Sequence, residues 1–290
     1  MIKQNQNMKQ YKFLLLSGAV CAYLATGCGG NSHTENEAAE SAKADTSGAA
    51  SEIAELKFSK LLADIPVGPD VLKGIQQTGK NYNKALLNPI ENKDKYMSNY
   101  KKAINYGVYG ADFMYITIYS ELKDAGAYFL GLRDLAKGMG VEKVFDDLAK
   151  ETAIEKVGIN NDNISSFNNL VFDAMDKYLL SNKRLEIAVL STTGAWMETQ
   201  YITLNLVAGK AKNKENSLMY DKLWEQKLHI YNIKALLEEF KDNADFKALI
   251  PLFNDYAAMY DNIKKPEEIT VDTVKALTAK MNTIRAEIVK

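Results

Sequence analysis

Two acids stand in stretches that carry no other charge. Asp112 is the single charged residue of segment 104–120 (INYGVYGADFMYITIYS), and Glu198 is the single one of segment 187–209 (IAVLSTTGAWMETQYITLNLVAG). Tyr109, Asp112, Tyr115, Ile116 and Tyr119 recur at spacings of three and four, so they line up on one side of a helix. Trp196, Glu198, Tyr201 and Asn205 recur in the second stretch. A lone carboxylate in apolar surroundings costs several kcal/mol, so each acid must be paired, hydrogen-bonded, protonated or close to water. Three chemistries fit. The acids are structural, bonded to a Tyr hydroxyl, a Lys or one of the three arginines, Arg133, Arg184 and Arg285. Or Tyr109, Asp112, Tyr115, Trp196, Glu198 and Tyr201 line a cleft for a small polar or cationic ligand, held by charge and aromatic faces. Or the acids form a catalytic acid–base pair, for which no residue sets the separation.

Other reactive groups are scarce. Of two histidines, His33 lies in a polar stretch, and His229, between Leu228 and Ile230, reads as a partly buried packing residue. There is no Glu-x-x-His pair for a di-iron bundle and no HExxH for a zinc protease. A nucleophile elbow, a P-loop and a dinucleotide fingerprint are all missing from the sequence. Asn160-Asn161-Asp162-Asn163 opens like a calcium loop but has neither the central Gly nor the closing Glu, and reads as a helix start. No metal or cofactor is expected, and an enzyme is the third choice.

The elements that must position the acids are helices. Val71, Leu72, Ile75, Gly79, Tyr82 and Leu86 fall on one face, as do Val271, Val274, Leu277, Met281, Ile284 and Ile288. No alternating stretch is bounded by hairpin turns. Pro66 and Pro69 divide a helix over 51–64 from one over 70–87, which Asn88-Pro89 ends. Gly138 and Gly140, Gly158 and Gly209 close others; a new start falls near Ser217, and Pro251 starts or kinks a helix. Lys265-Pro266-Glu267-Glu268 introduces the last helix, with its acids where the dipole favours them. The expected fold is all-α: a single bundle of about nine or ten helices around the two apolar ones. In the first, Ala103, Gly107, Gly110 and Ala111 make a small-residue face that lets another helix approach closely. The second is long enough to span a membrane, but Glu198, Gln200, Asn205 and four Thr argue against that. The strings AspPheMetTyrIleThrIle and GluThrGlnTyrIleThrLeu match locally, which leaves an internal duplication open beside coincidence.

The beginning of the chain reads as an export signal. Lys3, Lys9 and Lys12 precede an apolar run over 13–25, too short to span a bilayer, and residues 1–27 form the signal peptide. Ala25-Thr26-Gly27-Cys28 resembles a bacterial lipobox, which implies a lipid on Cys28; ordinary cleavage leaving a free thiol is the alternative. Residues 28–50 then form a polar tether with no large apolar residue, unable to order itself. After cleavage 33 basic side chains face 37 acids, a net charge of −4, and no basic patch is interleaved with aromatics, so nucleic acid is not an expected partner. With one cysteine left, no disulfide forms within the mature chain, and helical domain 51–290 rests on its own core.

Ile65-Pro66, Leu86-Leu87-Asn88-Pro89, Lys95-Tyr96, segment 105–115 and Gly194-Ala195-Trp196-Met197-Glu198 together resemble an uncharacterised family of all-helical lipoproteins of Bacteroidetes-type bacteria. This chain departs from that pattern at Phe113, where Leu is favoured, and at Ala195, where Gly is. The resemblance implies an all-helical fold and an exported protein anchored in the outer membrane through its N-terminal lipid. It brings no catalytic residue. Two function classes follow. One is an envelope interaction or scaffolding module that holds a partner protein; the other is a binding protein for a small polar or cationic ligand. Solid packing around Asp112 and Glu198 favours the first, and a pocket holding both acids favours the second.

Overall fold

The computed structural model describes residues 60–62, 65, 74, 81–152 and 164–290. All regular structure there is helical, with no strand among the described residues. Among the described residues, nine α-helices have defined bounds, in chain order: α1 Asn99–Ile118, α2 Leu122–Gly138, α3 Lys143–Thr152, α4 Ile164–Ser181, α5 Leu185–Val207, α6 Ser217–Glu238, α7 Ala244–Lys247, α8 Leu249–Asp261 and α9 Val271–Ile288; residues 60–62 and 74 are helical as well. The fold is the all-α bundle that the periodicity requires. The expected signal peptide, Cys28, the tether, the helix over 51–64, Gly158 and the run 160–163 lie almost wholly outside the described residues.

The boundaries follow from local chemistry. Ser98 opens α1 by accepting from the Lys101 N–H at 3.1 Å, and Thr270 opens α9 by accepting from Thr273 N–H at 3.2 Å. Gly140 (φ +70°) and Gly209 (φ +74°) stand just past α2 and α5 in the left-handed region, where a side chain is strained. Pro251 sits in the first turn of α8, which lacks intrahelical acceptors for its N–H groups and so tolerates it.

Two expectations need correction. The helix expected to run to Leu87 is absent over its described end: residues 81–83 are irregular, and Lys84–Leu86 makes one 3-10 turn. Asn83 drives this, its side chain accepting from the Ala85 N–H at 3.1 Å and so capping a new turn. A second 3-10 turn, Ile90–Lys95, follows Asn88-Pro89. Likewise Pro266–Glu268 forms a 3-10 turn of its own, so its acids precede α9 instead of sitting in its first turn, where Asp272 stands.

Helices α1 and α5 are the centre, and their mutual packing is the most extensive in the fold. Both are buried on nearly every side over most of their length, as helices without a polar face must be. A Cβ on Gly107 would fall well inside contact with the Ser191 carbonyl, and one on Gly194 well inside contact with the Ile104 carbonyl. The two backbones therefore touch, and Ser191 Oγ donates to the Ala103 carbonyl at 3.1 Å across the same crossing. Position 103 meets 191 and 104 meets 194, while further along 112 meets 198, so the helices run parallel. Around them, α2 and α4 cover α1; α9, α6 and α4 cover α5; and α8 packs on α6 and α9.

Candidate functional site

Where α1 and α5 continue past the glycine crossing, the two acids meet. Asp112 and Glu198 are both 0 % exposed, and each lies close enough to shift the other's titration. Helix α9 brings Arg285 against Glu198. Arg285 Nε lies 2.9 and 2.8 Å from Glu198 Oε1 and Oε2, and Nη2 lies 2.7 Å from Oε1. The ring of Tyr201, one turn along α5 and half-buried, lies under the guanidinium with its centroid 4.0 Å from Cζ. The ion pair thus has a bidentate fork and an aromatic floor, the geometry in which Arg outperforms Lys.

Asp112 has no cation hydrogen-bonded to it. Its Oδ2 accepts from the Asn88 N–H at 3.0 Å, and no other N–H or O–H reaches Oδ1. A buried carboxylate with no cation bonded to it is costly to ionise. Burial pushes Asp112 well above the ordinary carboxylate range, and the nearby Glu198 charge adds to this. Burial also raises Glu198, but the Arg285 charge and its hydrogen bonds pull it back. Asp112 is therefore pushed toward its neutral form more strongly than Glu198, which faces the Arg285 cation.

Residues 83–96 form a strap over this cluster, tied by hydrogen bonds to α1, α2 and α9. Arg285 Nη2 donates to the Leu86 carbonyl at 3.1 Å. Tyr109 donates to the Pro89 carbonyl at 2.9 Å, and Tyr128 of α2 donates to the Asn88 carbonyl at 2.8 Å. Tyr115 accepts from the Asn83 N–H at 3.0 Å. Asn88 is wholly buried and wholly used: its Nδ2 donates to Tyr96 and its Oδ1 accepts from Asn92. Tyr96 in turn donates to the Val289 carbonyl at 3.2 Å, beyond α9. On the α2 side, Ile90 lies where a side chain on Gly131 would be, and Lys93 pairs with Asp134 at 3.2 Å.

Five of the six residues singled out from sequence therefore converge: Tyr109, Asp112, Tyr115, Glu198 and Tyr201. Trp196 does not. Its Nε1 donates to Gln226 of α6 at 3.0 Å, and its ring packs on Phe253 and Tyr256 of α8. Residues two apart on a helix face nearly opposite ways, so Trp196 and Glu198 could not share a cleft. His229 is half-buried on α6, as expected of a packing residue. Sequence reasoning missed Asn88, whose Asn-Pro reads as a stop signal, and Tyr96 and Tyr128, which no periodicity distinguishes from other core tyrosines.

Among the described residues, two cavities lie away from the acids. One, about 350 Å³, is lined by Asn99, Lys183, Arg184, Leu185, Glu186, Ile187 and Phe240. The other, about 490 Å³, lies between the C-terminal end of α8 and the start of α9, against Met259, Ile263 and Leu277. Among the described residues, no group of three or more His, Cys, Asp and Glu is placed to hold a metal ion, and no helix is long and apolar enough to cross a membrane. No protein-family model, no curated protein and no solved structure matches the chain.

Proposed function

We propose that this protein is a lipid-anchored helical module of the cell envelope, tethered through Cys28, that holds a partner protein on its outer helices. The observation that supports this reading is the consumption of the acidic-aromatic centre by the fold itself. Glu198 is occupied by Arg285, Asp112 by the Asn88 N–H, and the Tyr109 and Tyr115 hydroxyls by strap backbone. A small cationic ligand would have to displace a bidentate guanidinium from a buried site, losing about as much as it gained. The outer surface carries apolar side chains instead. Leu228 of α6 is 62 % exposed, with Tyr231 and the half-buried Trp224 close in sequence on the same helix. Large exposed apolar groups of this kind suit contact with a protein.

A photo-crosslinking residue at Leu228, in cells making the full chain, tests the reading alongside intact-mass analysis of the mature protein. The expected result is one discrete protein adduct at Leu228, none from a control at Lys123 on α2, and acyl mass on Cys28. Absence of any adduct, together with a rise in melting temperature on adding a small-molecule extract, would overturn it.

A further inference from the structure

The cavity between the C-terminal end of α8 and the start of α9 joins an apolar floor to a carboxylate. Ile263 and Leu277, both buried, form the floor, and half-buried Met259 and exposed Ala276 carry apolar surface to the edge. Its volume of about 490 Å³ is that of a site for a small molecule. The polar side chains that line it are Asn262, Glu268 and Thr273. We propose that this cavity binds a small organic ammonium ion with an apolar body, the body against Ile263 and Leu277 and the cation on the Glu268 carboxylate.

The polar groups decide the class of ligand. Thr273 is used within the protein, its hydroxyl donating to the Glu268 carbonyl at 3.1 Å. Glu268 is half-buried, and its Oε2 accepts from the Lys264 N–H at 2.6 Å. Among the described residues, no group bonds to its Oε1 and no cation pairs with the carboxylate. The lysines of the same region direct their ammonium groups elsewhere. Lys264 donates to the Asp261 carbonyl, Lys227 to the Ile263 carbonyl at 2.7 Å, and Lys275 pairs with Asp272 at 3.5 Å. Lys265 is exposed and forms no ion pair with Glu268. At the centre of the bundle the cation that answers Glu198 comes from the chain itself, on Arg285; at this cavity no described side chain supplies one.

A carboxylate beside apolar surface selects a cation that brings its own apolar cover. The ammonium group makes a charge-assisted hydrogen bond to Glu268, roughly twice as strong as a neutral one, while the body removes the floor from water. The C-terminal end of α8 carries the partial negative charge of a helix terminus and acts in the same direction. An anion of the same shape meets both charges with the wrong sign. A neutral molecule gains the floor and forgoes the charge.

Three probes that share a ring and differ in charge test this on the full chain at neutral pH: 2-phenylethylamine, 2-phenylethanol and 3-phenylpropanoate, with binding followed by ligand-observed NMR. The amine should bind about tenfold more tightly than the alcohol, the gain of one charge-assisted hydrogen bond, and the carboxylate should bind most weakly. Glu268→Gln should bring the amine down to the level of the alcohol. Ala276→Trp fills the cavity from an exposed position and should remove binding of both, with cooperative melting kept in each variant. Equal binding of amine and alcohol by the parent, or no binding of the amine, overturns the site. So does an amine affinity that either folded variant leaves unchanged. Should one variant fail to melt cooperatively, the other decides together with the three probes on the parent.

Discussion

Helices α1 and α5 carry the same short pattern, an acid followed three residues later by Tyr, and use it in different ways. Glu198 is ionised against Arg285, and Tyr201 lends that pair its ring. Asp112 is pushed by burial well above the ordinary carboxylate range and is held by the strap, and Tyr115 lends its hydroxyl to the Asn83 N–H. The difference lies in the third element each pair meets. α9 supplies a cation to one, and the strap supplies backbone N–H groups to the other. Matching letters at matching spacing thus fix where an acid sits, while its protonation state is decided by neighbours far away in sequence.

That comparison can be broken most severely at the crossing that brings the pairs together. Gly194→Ala puts a methyl group against the Ile104 carbonyl and must part the helices, and a loss of about 4 kcal/mol or more by denaturant titration is expected. The next largest contrast is between the acids themselves. Glu198→Gln leaves a buried guanidinium without its counter-charge and should cost about 3 kcal/mol. Asp112→Asn mimics the protonated acid and should stay within about 1 kcal/mol of the parent at neutral pH. Equal losses from the two would mean that Asp112 is ionised. The smallest contrast is between the tyrosines. Tyr115→Phe removes an acceptor from Asn83 and should cost about 1 kcal/mol, whereas Tyr201→Phe keeps the ring under Arg285 and should change stability by less than about 0.5 kcal/mol.

Much of this arrangement is legible in the residues. The small face of Ala103, Gly107, Gly110 and Ala111 announces a close crossing, and Gly140 and Gly209 mark true helix ends. The acids announce buried partners, and with three arginines in the chain Arg285 is among the candidates, though nothing local selects it, because the selection is made by how α9 packs on α5. The strap was illegible for a different reason. Its apolar residues keep helical spacing, but Asn83 offers the backbone a nearer partner than the next helical turn, and a capping side chain outweighs a weak periodicity. The misplacement of Trp196 was avoidable, since a spacing of two separates faces on any helix.

The parallel course of α1 and α5 has a consequence for the order of assembly. Antiparallel neighbours can zip up as a hairpin, but these two are joined by a stretch that holds α2, α3 and α4, and the cation that neutralises their meeting point comes later still, on α9. Until that late segment arrives, the core would hold acids with no cation to answer them. The native centre is therefore among the last places to close, and refolding should be slow for an all-helical chain because its decisive contacts are so distant in sequence.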